Sequence, residues 1–278
     1  ITFPERIDYI EEKRNLVLSR NKKSVWITAS VLVACLLTLA AGKAHVFEIN
    51  SYSLNTPFGF ASIFHLHGRF EPSNAPGFVK VDTPYCYKDM YLLDEVYESF
   101  KQMAEAAAKD SIDLKIISAT RTFDHQKYLW ETKWTGKTKV EGFRLTESHK
   151  NSFHRAKKIM EYTAPPGFSR HHWGTEIDIN SVEDDYFQSE VGDRVFKWLQ
   201  KNAGQFGFCQ TYTSRELRDG KGFNEEKWHW SYTRISIPLL EEMLRQFDVM
   251  NITDFKGYEE VRQIDLINEY ILPINTCH

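Results

Sequence analysis

The sequence predicts an α+β fold with one main folded domain. Of its 278 residues, 42% are hydrophobic and 14% aromatic, which is enough to bury a full core. Segments with helical periodicity are mixed with short apolar, strand-like segments, and the two do not alternate regularly. Irregular order of this kind favours α+β over a parallel α/β sheet. The formal net charge of −3 makes nucleic acid a poor candidate for a partner.

An apolar run over residues 25–41 follows a basic stretch at residues 20–23. This combination is typical of an export signal or a membrane anchor, with the basic side in the cytoplasm. Cleavage after Gly42 or Ala44 would release a soluble product, whereas an uncleaved segment would hold the protein at the membrane. Both alternatives stay open, and either one predicts that the folded part of the chain is exported.

The chain is therefore divided into four predicted parts. Residues 1–24 are expected to be a cytoplasmic or non-native segment, and residues 25–42 the signal peptide or transmembrane anchor. Residues 43–78 are expected to form a spacer, because they are rich in Ser, Asn, Gly, Pro and Phe. Residues 79–278 are expected to form the folded domain.

The first half of this domain begins with an amphipathic pattern. Apolar residues recur at spacings of three and four over residues 90–109, which predicts a helix. Residues 114–118 predict a buried strand that ends shortly before Arg121. Two further helices are predicted over residues 126–134 and 146–162, before the consecutive prolines at 165 and 166.

The second half predicts short strands separated by helices. A turn at Gly174 is predicted to lead into a strand from Glu176 to Asn180. The elements predicted after it are a helix over 191–205, a strand over 206–212, a strand over 226–229, and helices over 237–249 and 258–272. Four cysteines at positions 35, 86, 209 and 277 are too scattered for a disulfide scaffold, and a pairing of Cys209 with Cys277 is only a guess.

A candidate metal site lies in the segment from Ser169 to Asn180. His171 and Asp178 are seven residues apart with Gly174 between them, and the alternation of the strand aims Glu176 and Asp178 to one face together with Asn180. On this geometry His171 and Asp178 reach the same point. Nitrogen and oxygen ligands suit zinc, and a catalytic zinc has three protein ligands and one open position.

The third ligand is predicted about fifty residues further on. His229 lies in an aromatic-rich segment in which alternation would place Glu226, Trp228 and Trp230 on one face and His229 on the other. Glu226 is close enough along the chain to take a proton from water at the metal. His172 is predicted to be a group at the rim of the site or behind its ligands, because adjacent residues point apart.

Three sequence patterns occur in one order along the chain. They are S-x-x-R-T-x-x-x-Q over residues 118–126, S-x-H-x-x-G-x-x-x-D over 169–178, and E-x-W-H over 226–229. Together they resemble the zinc D-alanyl-D-alanine carboxypeptidase family that includes the VanY-type enzymes. This family belongs to a wider group with D,D-dipeptidases, lysostaphin-type endopeptidases and the hedgehog fold. The chain departs from the family pattern at Glu176, where a small residue is usual.

The resemblance implies a small antiparallel sheet that carries one zinc ion per chain and is flanked by helices. It also implies metal-assisted hydrolysis without a covalent intermediate. The implied roles are zinc ligation by His171, Asp178 and His229, proton transfer by Glu226, oxyanion stabilisation by Arg121, and substrate binding by Gln126 and Ser169.

The expected reaction is hydrolysis of the terminal D-Ala from peptidoglycan stem peptides. An L,D-carboxypeptidase or an endopeptidase with the same zinc site is the alternative, because the sequence does not resolve the pocket contacts. A non-catalytic cell-wall-binding relative is the third reading, and the intact Glu226 argues against it. A monomer is expected, with membrane contact only through an uncleaved N-terminal segment.

Overall fold

The computed structural model describes residues 63–275, and these residues contain short strands and helices of very different lengths. The strands are β1 (Phe78–Lys80), β2 (Tyr91–Leu93), β3 (Ile116–Ser118), β4 (Glu176–Ile179), β5 (Phe208–Gln210) and β6 (His229–Tyr232). The α-helices are α1 (Ile63–Leu66), α2 (Asp94–Lys109), α3 (Phe123–Trp134), α4 (Leu145–Ser148), α5 (Ser152–Met160), α6 (Asp184–Gln188), α7 (Glu190–Asn202), α8 (Thr233–Gln246) and α9 (Tyr258–Val261).

Within this range the strands form two antiparallel sheets. β1 pairs with β2, and the larger sheet has the order β3-β4-β6-β5. β4 and β6 are the two central strands, and their register places Asp178 opposite His229. Small antiparallel sheets among helices confirm the predicted α+β class.

The hydrophobic core lies between the larger sheet and its helices. Helix α2 contributes the predicted stripe, and its Val96, Phe100 and Met103 are fully buried. Ile177 and Ile179 of β4 are also fully buried. This side of β4 therefore belongs to the core, while alternation sends the intervening Asp178 to the opposite face.

Two predicted helices are each divided in the structure. The one over residues 146–162 breaks into α4 and α5, because the side chain of Asn151 accepts a hydrogen bond from the backbone N–H of His154 at 2.9 Å and starts a new helix. The one over residues 258–272 breaks into α9 and a π-helical turn (Ile267–Ile271). Here the Asp265 carboxylate accepts from the N–H of Asn268 at 3.2 Å.

Part of the predicted spacer is packed against the folded domain. Leu66 is 1% exposed, and the His65 ring donates to the carbonyl of Trp173 at 3.0 Å. The sequence did not predict this packing, because the stretch is mostly polar and has only a few side chains that are buried. The predicted signal or anchor over residues 25–42 lies outside the described residues, and no helix in the described range is long and apolar enough to cross a membrane.

The cysteines differ in state. Cys86 is a buried free thiol, whereas Cys209 is disulfide-bonded. The partner of Cys209 lies outside the described residues, so the pairing with Cys277 stays a prediction.

The turn at Gly174 is tightly packed, and its substitution should destabilise the fold. Gly174 has φ +78°, and an added Cβ would lie 2.5 Å from Phe78 Cε1. We expect Gly174→Ala to lower the free energy of unfolding by roughly 2–4 kcal/mol, from left-handed backbone strain and overpacking together. Gly142→Ala is the matched control, because Gly142 has φ +80° and nothing within 4 Å of the added Cβ. Equal losses in urea unfolding of the two variants would contradict the packing contribution.

Candidate metal centre and active site

Three elements bring the predicted metal ligands together. Asp178 and His229 face each other across β4 and β6. His171 lies in a 3-10 turn (Arg170–Trp173) that ends at Gly174, and the left-handed glycine turns the chain directly into β4. His171, Asp178 and His229 are 4%, 1% and 2% exposed, so the cluster lies inside the protein.

The donor atoms of these residues form a compact triangle. His171 Nε2 lies 3.3 Å from Asp178 Oδ1 and 3.2 Å from His229 Nδ1, and His229 Nδ1 lies 3.1 Å from Asp178 Oδ1. Among the described residues, these three are the group of His, Cys, Asp and Glu side chains whose geometry could hold a metal ion.

The hydrogen bonds behind the two rings fix which nitrogen faces the triangle. His171 Nδ1 lies 2.8 Å from the carbonyl of Ala119, which can only accept, so this nitrogen carries the hydrogen. His229 Nε2 donates to Glu176 Oε2 at 2.9 Å. When both rings are neutral, the remaining nitrogen of each therefore presents a lone pair to the other ring and to the Asp178 carboxylate. Three lone-pair donors that face one another repel, and a cation between them would remove this repulsion.

The size of the triangle fits zinc. Zn–N and Zn–O distances of about 2.0–2.1 Å place neighbouring ligand atoms of a tetrahedron about 3.3–3.4 Å apart. The observed separations of 3.1 to 3.3 Å are close to this value. All three residues also line a cavity of about 580 Å³, so a metal ion held by them would be accessible from this cavity.

The pKa values of His229 and Asp178 favour positive charge at the triangle, whereas that of His171 keeps its ring neutral. Burial opposes protonation of His229, yet its hydrogen bonds to Asp178 and Glu176 outweigh burial and raise its pKa to about 9. Burial lowers the pKa of His171 to about 4, with the Arg121 charge acting in the same direction. For Asp178, burial is outweighed by the facing histidines and Arg121, which hold its pKa well below the usual range.

Glu226 reaches the site from a loop, which corrects the predicted strand over 226–229. Strand β6 begins only at His229, and the Glu226 N–H donates to the Tyr212 carbonyl at 2.9 Å. Glu226 Oε2 lies 3.6 Å from His229 Nδ1, and burial raises the Glu226 pKa to about 7. The predicted opposition of Glu226 and His229 across one strand was therefore wrong, because backbone pairing to Tyr212 takes Glu226 out of the ladder.

Arg121 is fixed beside the metal ligands on several sides. Its Nη2 donates to Asp178 Oδ2 at 2.7 Å, and its Nε donates to Ser118 Oγ at 3.0 Å. Its Nη1 makes a long contact of 3.4 Å with Gln126 Oε1. These contacts fix the position of the guanidinium at the cavity wall, and two of its five N–H donors remain unused by them.

The two predicted substrate-binding residues both line the cavity. Gln126 is 1% exposed and its Nε2 donates to the carbonyl of Ala164 at 2.8 Å, so the amide is held at both ends by protein groups. Ser169 is 3% exposed. Their contacts with substrate stay a prediction, and the geometry gives Gln126 an additional role in positioning Arg121.

The structure also shows where the remaining residues discussed in the sequence lie. His172 does not lie at a rim, because it is fully buried, accepts from the N–H of Gly167 at 3.1 Å and contacts the Arg121 carbonyl at 2.7 Å. Trp228 lines the cavity, whereas Trp230 lies in the core. The side chain of Asn180 bonds to the backbone of Asp113 rather than facing the site, because a left-handed φ of +62° ends the strand there.

The sequence placed Glu176 on the same strand face as Asp178 and marked it as a departure from the family pattern, and the structure gives it a partner. It is fully buried and accepts from His229 Nε2, Arg170 Nη2 at 3.1 Å and Ser231 Oγ at 2.7 Å. Burial is outweighed by Arg170 and His229, and the Glu176 pKa falls to about 2. Glu176 therefore holds His229 in the tautomer that turns Nδ1 toward Asp178.

Replacement of Glu176 should weaken metal binding. We expect Glu176→Gln to lower zinc affinity about 10- to 100-fold, because a neutral amide accepts from His229 Nε2 more weakly than a carboxylate and leaves Arg170 without its buried charge partner. Glu183→Gln removes an exposed carboxylate at the same cavity and serves as the control. Titration against a chromophoric chelator measures both. An unchanged zinc affinity of Glu176→Gln would contradict the role of Glu176 in orienting His229.

Comparison with known proteins agrees with this arrangement. The profile described as VanY, D-alanyl-D-alanine carboxypeptidase, matches residues 89–235, which hold all three sequence patterns and every ligand of the triangle. This match covers more than half of the chain. The chain belongs to the VanY family of D-alanyl-D-alanine carboxypeptidases. The predicted family is thereby confirmed.

Named VanY-related proteins are similar over part of their length. The provisionally named carboxypeptidase YodJ of Bacillus subtilis (strain 168) is 27% identical over 175 residues, 61% of this chain and 56% of YodJ. A D-alanyl-D-alanine carboxypeptidase of Enterococcus faecalis (strain ATCC 700802 / V583) is 29% identical over 136 residues, 49% of this chain and 46% of that protein. The chain thus spans about half of the length of these relatives.

One solved structure with a similar chain is the LdcB LD-carboxypeptidase, described with its peptidoglycan recognition. It is 21% identical, with a TM-score of 0.45, and the match covers 71% of this chain and 81% of that chain.

Proposed function

We propose that this member of the VanY family is a zinc-dependent D-alanyl-D-alanine carboxypeptidase that removes the terminal D-Ala from peptidoglycan stem peptides. The observation that carries the proposal is the triangle of His171, Asp178 and His229 donor atoms with the Glu226 carboxylate 3.6 Å from one of them. Family membership supports the substrate class, and the activity for which the Enterococcus faecalis relative is named supports D-Ala-D-Ala.

In the proposed reaction the metal ion and the side chains have separate roles. A zinc ion held by the triangle supplies Lewis acidity, which makes water acidic near neutral pH. Glu226 Oε2 takes the proton from the attacking water and delivers it to the amine of the leaving D-Ala. The Glu226 pKa of about 7, raised by burial, suits both directions of transfer. Spare N–H donors of Arg121 stabilise the charge that develops on the scissile carbonyl oxygen.

The reaction also implies a place for the protein. Peptidoglycan stems lie outside the cytoplasmic membrane, so we propose that the protein acts in the cell envelope and reaches it through the apolar segment near its N-terminus. We propose a monomer, because the ligands and the proposed base come from one chain.

Incubation of the zinc-loaded protein with defined stems tests the reaction. We expect D-Ala release from a pentapeptide that ends in D-Ala-D-Ala, and little release from the matching tetrapeptide. Release from the tetrapeptide alone would replace the D,D assignment by an L,D-carboxypeptidase. Cleavage of cross-linked muropeptides without trimming of either stem would replace it by an endopeptidase.

A further inference from the structure

Among the described residues, the cavity has a shielded cation that makes no salt bridge and whose nearest charged influence from an acid is that of Glu226. Three cationic side chains that line the cavity are largely removed from solvent: Arg121, Lys133 and Arg170. Arg121 pairs with a carboxylate at 2.7 Å and Arg170 with another at 3.1 Å. Lys133 Nζ instead donates to the hydroxyl of Thr163 at 2.5 Å, and no carboxylate of residues 63–275 lies within 4.0 Å of it.

Shielding the Lys133 ammonium from water without a nearby anion costs free energy in the protein without substrate. Burial and the nearby Arg121 charge lower the pKa of Lys133 to about 8, so the ammonium is still mostly charged at neutral pH. An ammonium has three N–H donors, and one of them has a protein acceptor in the described structure. A shielded charge with unused donors is stabilised when an anion enters the cavity.

The position of Lys133 places this charge near the proposed chemistry. Gln126, Leu129 and Lys133 lie three and four residues apart on α3, so they form one face of the helix, and all three line the cavity. Gln126 Nε2 bonds to Ala164, and Lys133 Nζ bonds to the preceding residue, Thr163. The ammonium therefore lies beside Gln126, which contacts Arg121.

We propose that Lys133 binds the free C-terminal carboxylate of the peptide substrate and thereby restricts the enzyme to chain ends. This inference rests on the proposed carboxypeptidase function, which already requires a terminal acid, and assigns the residue that binds it. A carboxylate pairs with the ammonium in a shielded place, where a charge-assisted hydrogen bond is strong. An internal peptide segment offers no anion there and leaves the ammonium unpaired, so it binds less well.

A pair of peptides tests the site. The same pentapeptide stem is prepared as a free acid and as a C-terminal amide, and KM and kcat are measured for wild type, Lys133→Met and Lys133→Arg. We expect wild type to have an about 10- to 100-fold lower KM for the acid, a size typical of a hydrogen bond to a charged group. Lys133→Met should lose this preference and Lys133→Arg should recover part of it. Lys127→Met on the same helix is the control, since Lys127 does not line the cavity.

Binding measurements separate this inference from the proposed reaction. Calorimetry in a Glu226→Gln background gives the affinities of acid and amide without turnover. If wild type cleaves neither peptide but this background prefers the acid and loses the preference with Lys133→Met, hydrolysis fails while the carboxylate site stands. Equal affinity for acid and amide, or an acid preference that survives Lys133→Met, overturns the site even if D-Ala is released. Lys133→Gln repeats the test should the methionine variant not fold.

Discussion

Glu226→Gln is expected to lower kcat for D-Ala release by about 1000-fold and to leave one zinc ion bound per chain, since general base catalysis contributes about 10²–10⁴-fold. The substitution keeps the size of the side chain and removes the oxygen that accepts the proton. The carboxylate lies 3.6 Å from His229 Nδ1 but is outside the compact triangle, so metal binding does not depend on it. Release of D-Ala and elemental analysis of the same samples measure the two effects.

The neighbouring Glu225 gives a matched control for this experiment. Glu225 is adjacent in the chain, yet it does not line the cavity, whereas Glu226 does. Glu225→Gln should therefore retain wild-type kcat. Equal loss of activity in the two variants would show that the local fold, rather than proton transfer, had been disturbed. Loss of zinc from Glu226→Gln would instead make Glu226 a ligand.

His171→Ala is expected to abolish both metal binding and hydrolysis. Two ligands remain after this change, and a catalytic zinc site has three. His171 is 4% exposed and supplies one corner of the triangle. We expect zinc content to fall from one ion per chain to below about 0.1, and D-Ala release to fall at least about 1000-fold.

Thermal unfolding supplies a readout of His171→Ala that is independent of activity. Zinc that binds only the folded state stabilises it, by about 4 kcal/mol when the free ion is 1000-fold above its dissociation constant. The midpoint of unfolding of wild type should therefore rise with added zinc, and that of His171→Ala should not. His154→Ala removes an exposed histidine outside the cavity and should respond like wild type. A zinc-dependent rise in His171→Ala would contradict the assigned ligand set.

These experiments, together with the Glu176 and Lys133 variants, divide the site into parts with distinct tasks. In the proposed mechanism the triangle holds the ion, Glu226 moves the proton, and Arg121 faces the developing charge. Glu176 acts through His229, because it contacts the back of the ring and does not line the cavity. Lys133 acts on the substrate, and its charge also opposes the rise of the Glu226 pKa. Zinc affinity, kcat and the acid-to-amide ratio of KM should therefore respond to different substitutions.

The sequence by itself determined the features that depend on near neighbours. Periodic apolar residues identified helix α2, and the glycine between His171 and Asp178 indicated that both side chains reach one point. The ordered patterns around Arg121, Asp178 and His229 identified the family that the profile match confirms. The first two inferences use spacing within a few residues, where backbone geometry leaves few choices, whereas the family rests on the resemblance of three patterns in order.

Only the tertiary structure decided how distant segments meet. The β4–β6 register places Glu176 behind the His229 ring, and no local pattern encodes a register between strands about fifty residues apart. The same holds for Glu226, whose pairing with Tyr212 removes it from the predicted strand. Lys133 became a candidate because no carboxylate approaches it in the described fold. Burial and pairing of charges arise from contacts between segments, and these are set by the packed chain as a whole.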